Sequence, residues 1–363
     1  MREYRGDRMK VAILHDYFDK KGGGERLVIN LARRLKADIY TGFVDKGKTF
    51  GTSGIKIISF NISRGPRLYR NIRISKRFGS YDFPKYDAYI FSGVWCISAS
   101  KKLHPNILYL HTPMRLLYDL RMHFIQNTNA LGRHMLRKFV KYWTPRDQDY
   151  MKHFDLICAN SENVKQRVMK HYGKNIHKRT VVVYTGIETD KYRHVKNGDF
   201  YLSAARLDPL KRIDMIIKAF RKIPGKKLVI AGSGPDEKRL KRIASGCKNI
   251  TFLGSVSDKR LLQLYGTCKA TIAANVDEDL GLIAIESHAS GKPIVAIKEG
   301  GFMETVDSSN GVFFSRGDEI PKALVKIERT KWSRKKIKKS AEKYDIDVFA
   351  KKINNIILEV AGR

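Results

Sequence analysis

An acidic loop followed by a helix start is the part of this sequence best suited to chemistry. Residues 276–296 read VDEDLGLIAIESHASGKPIVA, with Glu278 in the loop, Gly281 at the predicted helix start and Glu286 within the helix. Backbone N–H groups at a helix start carry partial positive charge, so they bind phosphate oxygens well. On one continuous helix the two glutamates would lie about 80° apart around the axis. With Glu278 in the loop instead, the two carboxylates can contact different parts of one ligand.

Two cations stand earlier in the chain, in the segment SAARLDPLKRID. Arg206 and Lys211 follow a predicted strand, at the carboxyl end where open α/β sheets bind ligands. A guanidinium fork and a point-charge ammonium a few residues apart can clamp a diphosphate. A leaving phosphate group held in this way needs no metal ion.

The D-x-D triplets at 277–279 and 345–347 resemble a metal motif, but the first belongs to the acidic loop and the second to a predicted helix cap. We therefore expect no metal site.

The first half of the chain has the rhythm of an α/β domain. A short apolar run at 11–14 is followed by a glycine-rich loop at 19–24 and an amphipathic stretch at 26–35, which indicates strand, turn and helix. Further apolar runs bounded by polar segments lie at 55–58, 88–91, 107–110, 156–159 and 181–184. This alternation predicts a parallel sheet.

A second series of the same kind follows a polar stretch, DKYRHVKNGD at 190–199, where we place the linker. Its predicted strands are 200–204, 227–231, 250–253, 270–274 and 293–296. Apolar residues at helical spacing in 347–360 predict a closing helix capped by Asp347. The expected domains are 1–195, 196–346 and a C-terminal helix at 347–363 that packs back toward the N-terminal domain. Two doubly wound, Rossmann-like sheets facing across a cleft are the expected architecture.

Composition fits a folded protein with anionic partners. The chain has 363 residues, enough for two domains, and 71 Lys+Arg against 36 Asp+Glu give a formal net charge of +35. The four cysteines are far apart, which argues against structural zinc and a disulfide framework and suits a reducing cytosol. The first ten residues carry basic side chains but no apolar signal region, and no run of 18 apolar residues occurs. We expect a cytoplasmic protein.

Several motifs, which occur in the same order along most of the chain, closely resemble those of glycosyltransferase family 4. This family consists of retaining enzymes with the GT-B fold and is also called glycosyl transferases group 1. In the second half these are RLDPLKRID, AGSGP, FLGSVSDKRLLQLY and EDLGLIAIESHASGKPIVA; in the first half they are GGGERLVINLA, HTPMR and NSENVKQRV. The resemblance implies a GT-B fold and transfer of a sugar from a nucleotide donor, with retained anomeric configuration and no cofactor.

The resemblance also implies a role for each candidate residue. Glu278 would contact donor sugar hydroxyls, and Glu286 would bind the ribose. The diphosphate would be held by Arg206, Lys211 and the amides of Leu280, Gly281 and Leu282. Gly234, Val256 and Ser257 would lie near the base. His111 would approach the transferred sugar, and Gly23 and Gly24 would let the backbone approach the donor phosphates or the acceptor. An internal-return mechanism would explain the lack of an obvious nucleophile.

Two departures from the family pattern are mild. Glycine precedes Glu25 where many relatives have another small residue, and Leu280 stands where an aromatic side chain is common. Both concern donor identity more than activity. A GDP- or UDP-sugar is expected, with mannose slightly preferred over glucose because HTPMR-type segments resemble mannosyltransferases of surface polysaccharide assembly.

Basic and aromatic residues alternate in two stretches of the first half. The first stretch contains Arg64, Arg67, Arg70, Arg73, Lys76 and Arg77 with Leu68, Tyr69, Ile72 and Phe78; the second contains Arg133, Arg137, Lys138, Lys141, Tyr142 and Trp143. Such surfaces suit an anionic membrane, so we expect a glycan or lipid-linked acceptor and peripheral association with the inner face of the cell membrane. A solvated basic face is the alternative. Another GT-B enzyme, such as a sugar-nucleotide epimerase or a phosphorylase, is the main alternative function. A nucleic-acid-binding protein is a weaker one, because no nucleic-acid motif accompanies the charge, and we expect no nucleic-acid partner.

Overall fold

The computed structural model describes residues 9–63 and 65–362. The chain folds into two compact units. The first ends at Thr185 and takes in the C-terminal residues from Phe349 onward, and the second is Gly186–Val348. The boundary therefore lies ten residues before the predicted one. The predicted linker overlaps the 3₁₀ turn Thr189–Lys191 and contains the buried Tyr192, whose hydroxyl donates to Glu286 of the second unit. This side-chain contact attaches the polar segment to the second unit.

The first unit contains a parallel sheet of seven strands among the described residues, in the order β3-β2-β1-β4-β5-β6-β7. The strands are β1 Val11–His15, β2 Asp38–Thr41, β3 Ile57–Ser59, β4 Ala88–Ser92, β5 Asn106–Leu110, β6 Leu156–Ala159 and β7 Thr180–Val182. The helices are α1 Gly23–Leu35, α2 Arg67–Ser80, α3 Arg121–Gln126, α4 Ala130–Tyr150 and α5 Glu162–Lys178. Short 3₁₀ turns occur at Cys96–Ala99 and Met151–His153. Fully buried strands β1, β4 and β5 explain the continuous apolar runs in the sequence.

The second unit has a parallel sheet of six strands within its described residues, in the order β10-β9-β8-β11-β12-β13. The strands are β8 Phe200–Ala204, β9 Lys227–Ala231, β10 Ile250–Gly254, β11 Ala270–Ala273, β12 Ile294–Ile297 and β13 Gly311–Phe314. The helices are α6 Ile213–Arg221, α7 Glu237–Ile243, α8 Asp258–Thr267, α9 Leu282–Ala289, α10 Phe302–Thr305, α11 Ile320–Arg329 and α12 Arg334–Glu342. The last helix, α13 Ile346–Val360, begins in this unit and continues from Phe349 in the first unit. Further 3₁₀ turns lie at Pro209–Lys211 and Gly317–Glu319. Two parallel-sheet α/β units are the arrangement that the sequence predicts.

Helix α13 begins one residue before the predicted start, and its cap is Asp345. The backbone N–H of Asp347 donates to Oδ1 of Asp345 at 2.8 Å. Asp347 lies inside the helix, so the prediction that it caps the helix was wrong. From Phe349 onward the chain belongs to the first unit, where the Phe349 ring packs edge-on against Tyr109 with 5.1 Å between ring centroids.

Candidate functional site

The loop after β8 presents Lys211 toward the acidic loop of the second unit. Asp208 accepts the N–H of Leu210 at 3.0 Å, and Pro209 begins the 3₁₀ turn that ends at Lys211. Lys211 Nζ then lies 2.7 Å from Oε2 of Glu278. Both side chains are partly buried, which strengthens their attraction relative to a fully exposed pair.

The acidic loop follows β11 and is tied to the loop after β8. The N–H of Val276 donates to the carbonyl of Leu210 at 2.8 Å, and the Asn275 amide donates to the same Glu278 oxygen that binds Lys211. Glu278 Oε2 therefore has two donors from two loops at the carboxyl edge of the sheet. Glu278 and Lys211 are brought together, as a shared binding site requires.

Gly281 starts α9 in a conformation that favours glycine. Its φ is +87°, and a Cβ atom there would lie 2.7 Å from the Phe302 ring. No side chain among the described residues caps this helix start. The first-turn amides of α9 begin at Leu282, after the buried Leu280. Their contact with phosphate oxygens stays a prediction.

Glu286 lies one turn into α9 and is held by two tyrosines. Tyr192 Oη donates to Oε1 at 2.8 Å, and Tyr265 Oη donates to Oε2 at 2.5 Å. Burial and the nearby carboxylate raise the pKa of Tyr265 well above its usual value, so its hydroxyl stays a donor. Each carboxylate oxygen is thereby oriented and keeps lone pairs for a further donor such as a ligand hydroxyl.

The second unit contains four other candidate residues, for which the structure gives the exposure or the local contacts. Arg206 is exposed after β8. A Cβ on Gly234 would lie 2.2 Å from the Leu207 carbonyl oxygen, so close backbone packing explains why a glycine stands at this position. Val256 is half-buried, and Ser257 caps α8 by accepting the N–H of Arg260 at 3.2 Å. Their proposed contacts with diphosphate or base stay predictions.

In the first unit, His111 follows β5 and contacts the end of β4. Its Nε2 lies 3.0 Å from Ser92 Oγ, and Nδ1 of His15, at the end of β1, lies 2.5 Å from the Ser92 carbonyl. Burial and, to a lesser extent, nearby His15 lower the pKa of His111 to about 4. The imidazole is therefore neutral at physiological pH and can both donate and accept a hydrogen bond.

Gly23 and Gly24 belong to helix α1, and the prediction that they lie in a loop was wrong. Gly22 is the N-cap, in an extended conformation. A Cβ on Gly24 would lie 3.7 Å from Cε1 and Nε2 of His111, so the bare backbone of the first helical turn borders the histidine. The helix starts earlier than predicted because the two glycines adopt helical geometry despite their low intrinsic propensity.

Two protein-family models match this chain, one in each half. Residues 21–191 match "Glycosyltransferase Family 4", and residues 186–344 match "Glycosyl transferases group 1". The two matches together span residues 21–344, most of both units, and include the loops of His111, Lys211 and Glu278. The chain belongs to glycosyltransferase family 4.

Solved structures share the GT-B fold of this family 4 glycosyltransferase at low sequence identity. Anabaena Alr3699/HepE in complex with UDP and glucose is 19% identical with a TM-score of 0.73, over 97% of this chain and 100% of that one. Sucrose-phosphate synthase from Thermosynechococcus elongatus is 15% identical with a TM-score of 0.75, over 96% and 98% of the chains. WaaG, involved in lipopolysaccharide biosynthesis, is 15% identical with a TM-score of 0.69, over 96% and 99%.

Among characterised relatives, this family 4 chain resembles the D-inositol 3-phosphate glycosyltransferase of Mycobacterium tuberculosis. The identity is 27% over 203 residues, which cover 49% of this chain and 41% of the relative. The match thus spans well under two thirds of that protein's length.

Sequence reasoning missed several polar partners of the candidate residues in each unit. Asn275 contacts Glu278, and Ser92 contacts His111. Tyr192 and Tyr265 both contact Glu286. Asparagine, serine and tyrosine are common in loops and helices, so the residue type alone does not mark these partners. Asn275 could have been found, because it lies three residues before Glu278 in the same loop. The two tyrosines carry no such signal, since each is far from Glu286 in sequence.

The structure corrects part of the basic-surface prediction and leaves Arg64 outside the described residues. Phe78 and Trp143 are buried in the core of the first unit, where Trp143 packs on Trp95 with 4.9 Å between ring centroids. Arg70 lies over the rings of Tyr17 and Phe43 at 5.1 and 4.9 Å. These side chains stabilise the fold, so they are not part of an open surface.

Two further findings concern the described residues as a set. No group of three or more His, Cys, Asp or Glu side chains within 9–63 and 65–362 is arranged to hold a metal ion. Across the same part of the chain, every helix is too short or too polar to cross a membrane.

Proposed function

We propose that this chain is a retaining, metal-independent glycosyltransferase that moves a hexose from a nucleoside-diphosphate sugar to a glycan or lipid-linked acceptor. The observation that carries the proposal is the group formed by Lys211, Glu278, the open start of α9 and Glu286 in the second unit. A cation, aligned amides and two oriented carboxylates match the parts of a nucleotide sugar: diphosphate, sugar hydroxyls and ribose.

The leaving group determines which residues must carry positive charge. When the bond between the anomeric carbon and the diphosphate oxygen breaks, its electron pair stays on the nucleoside diphosphate. Oriented donors stabilise this developing charge in the transition state. Lys211, Arg206 and the amides from Leu280 to Leu282 would supply these donors. They would do the work that a divalent cation does in metal-dependent transferases.

The acceptor hydroxyl completes the reaction by attacking the anomeric carbon and losing its proton. Retention of configuration requires attack from the face that the diphosphate leaves, or a covalent intermediate. The sequence presents no clear nucleophile, so we favour the first route, in which a diphosphate oxygen takes the proton. Glu278 accepts from Lys211 and Asn275, and sugar hydroxyls would join these donors on its carboxylate.

The donor is expected to carry mannose or glucose on GDP or UDP. Mannose is slightly preferred from the HTPMR resemblance, and Anabaena Alr3699/HepE, which shares the fold, has been crystallised with UDP-glucose. His111 is proposed to touch the transferred sugar, and Gly23 and Gly24 are proposed to approach the donor phosphates or the acceptor. The base is proposed to lie near Gly234, Val256 and Ser257.

A panel of nucleotide sugars scored by thermal unfolding tests the donor. A donor present at 100 times its dissociation constant stabilises the fold by about 2.7 kcal/mol. GDP-mannose or UDP-glucose should do so with EDTA present, and NMR of the product should show the anomeric configuration of the donor. No stabilisation by any sugar nucleotide would overturn the proposal. Donor isomerised without an acceptor would identify an epimerase instead.

We further propose that the acceptor is reached at an anionic membrane surface, and that helices α3 and α4 meet that surface. Met122 of α3 and Leu131 and Met135 of α4 are 58%, 70% and 52% exposed. The neighbouring exposed basic residues are Arg121, Arg133, Arg137, Lys138, Lys141 and Arg146. Large apolar side chains flanked by cations suit the boundary between lipid headgroups and acyl chains.

A further inference from the structure

Arg212 adopts a backbone conformation that favours glycine. Its φ and ψ are +46° and +36°, in the left-handed region, between the 3₁₀ turn that ends at Lys211 and helix α6. A residue with a Cβ atom populates this region rarely and at an energetic cost. The reason for an arginine at this position is therefore expected in the contacts that its side chain makes.

The side chain of Arg212 reaches the loop after β12. Its Nη1 donates to Oε1 of Glu299 at 2.8 Å, whereas the preceding Lys211 donates to Glu278 in the loop after β11. Two consecutive cations thus engage two different loops, because the left-handed turn at Arg212 changes the direction of the chain between them.

Glu299 and the residues after it hold the backbone on both sides of Glu278. Oε2 of Glu299 accepts the N–H of Asp277 at 3.4 Å. The N–H of Gly301 donates to the carbonyl of Glu278 at 2.7 Å, and a Cβ on Gly300 would lie 2.6 Å from the N and O atoms of Glu278. The 299–301 segment packs closely against the acidic loop over these residues.

We infer that Arg212 and Glu299 form a positioning pair that fixes the acidic loop so that Glu278 can bind the donor sugar. The pair acts through the backbone of Asp277, whose N–H donates to Glu299. This inference rests on the proposed function, in which Glu278 contacts sugar hydroxyls. It adds that recognition of the sugar, as distinct from the nucleotide, depends on an ion pair outside the binding site.

The exposure of the pair separates this role from a stabilising one. The Arg212 and Glu299 side chains are 29% and 35% exposed, so solvent screens their attraction and the pair contributes little to folding stability. Replacing Arg212 by glycine also removes the cost of the left-handed conformation. Loss of the pair should therefore change sugar affinity without lowering the melting temperature.

The test compares Arg212→Gly and Glu299→Gln with the wild type. Dissociation constants are measured by calorimetry for UDP-glucose against UDP, or for GDP-mannose against GDP, whichever pair the wild type binds. We expect each variant to bind the sugar nucleotide about tenfold more weakly, with unchanged affinity for the nucleoside diphosphate and no loss of melting temperature. The double variant should be no weaker than either single one, because both remove the same contact.

Lys218→Gln serves as the matched control, since Lys218 pairs with Asp214 on the exposed side of α6 at 3.5 Å. It should bind both ligands as the wild type does. Unchanged sugar-nucleotide affinity in both Arg212→Gly and Glu299→Gln, or an equal loss for both ligands, would overturn the positioning role. If the wild type binds a donor and Lys211→Ala loses it, such a result leaves the proposed function standing. A wild type that binds no sugar nucleotide would overturn both.

Discussion

Lys211 Nζ and Glu278 Oε2 lie 2.7 Å apart, although 67 positions separate the two residues in the chain. The lysine ends a 3₁₀ turn after β8, and the glutamate lies in the loop between β11 and α9. β8 and β11 are neighbours in the parallel sheet, so their carboxyl ends meet at one edge. The pair joins a residue proposed to hold the diphosphate to one proposed to hold the sugar.

Lys211→Ala and Glu278→Ala should each abolish detectable sugar transfer. Removing one oriented donor to a developing anion typically costs about 10²–10³ in rate, and loss of the contact with the sugar compounds that cost. The melting temperature should change little, because a partly exposed pair contributes at most about 1 kcal/mol. Initial rates with the donor that stabilises the wild type give the measurement, and Lys218→Ala is the control. Near-normal rates in either variant would contradict the site assignment.

Tyr265→Phe should weaken nucleotide binding about tenfold by releasing one oxygen of Glu286. The remaining donor, Tyr192, contacts only the other oxygen, so the carboxylate loses its orientation toward the ribose. Calorimetry with UDP and with 2′-deoxy UDP, or with the guanine pair, should show a smaller preference for the ribose form in the variant. An equal loss for both nucleotides would mean that Glu286 does not contact the 2′-hydroxyl of the ribose.

The activity of the protein should show no step from His111 between about pH 5.5 and pH 8, because burial holds its pKa at about 4. The unfolded chain binds this proton with a pKa near 6.5, so folding stability is lost as the pH falls from about 6.5 to 4. His111→Asn should lower transfer and flatten that stability loss in urea unfolding. An activity step near pH 6.5 that His111→Asn removes would contradict a neutral imidazole.

Asp147 should make the first unit less stable as the pH rises from about 4 to 6. Burial raises its pKa to about 6, although the hydroxyls of Tyr118 and Tyr172 donate to Oδ2 at 2.6 and 2.8 Å. The folded state therefore binds the proton more tightly than the unfolded state, and at about 1.4 kcal/mol per pKa unit the loss reaches about 2 to 3 kcal/mol.

Asp147→Asn should abolish this dependence, since an amide oxygen accepts both hydroxyls without a charge. Urea unfolding at pH 4.5, 6 and 8 gives the measurement. The wild type and the variant should differ most at pH 8 and least at pH 4.5. Parallel pH profiles for the two proteins would show that Asp147 does not carry the effect.

Flotation with vesicles tests the α3–α4 surface. Wild-type protein should float at low salt with vesicles that contain phosphatidylglycerol and stay at the bottom with phosphatidylcholine alone. The double variant Leu131→Ser and Met135→Ser should lose most of this binding, and Lys138→Glu with Lys141→Glu should lose it as well. Val325→Ser is the control, because Val325 is an exposed apolar residue of the second unit. Wild-type protein that binds neither kind of vesicle would remove the membrane proposal and favour a solvated basic face.

The strand pattern could be read from the sequence because burial of parallel strands is a local signal. β8 and β9 begin and end at the predicted residues, 200–204 and 227–231. β2 and β13 were missed, and Trp143 was assigned to a surface although it is buried. A basic stretch with aromatic residues has the same composition whether its rings face solvent or the core. Only the packing partners, here Trp95 and Phe139, decide between the two.

The sequence by itself determined the two α/β units, the family and the helix start at Gly281, since each follows from residue types within short windows or from the order of motifs. The tertiary structure decided which side chains meet. It placed Glu278 on Lys211, gave Glu286 its two tyrosines, and turned Arg212 toward Glu299. The physical reason is that an ion pair or hydrogen bond requires atoms within about 3 Å. Residues far apart in sequence reach that distance only when the sheet brings the ends of its strands to a common edge.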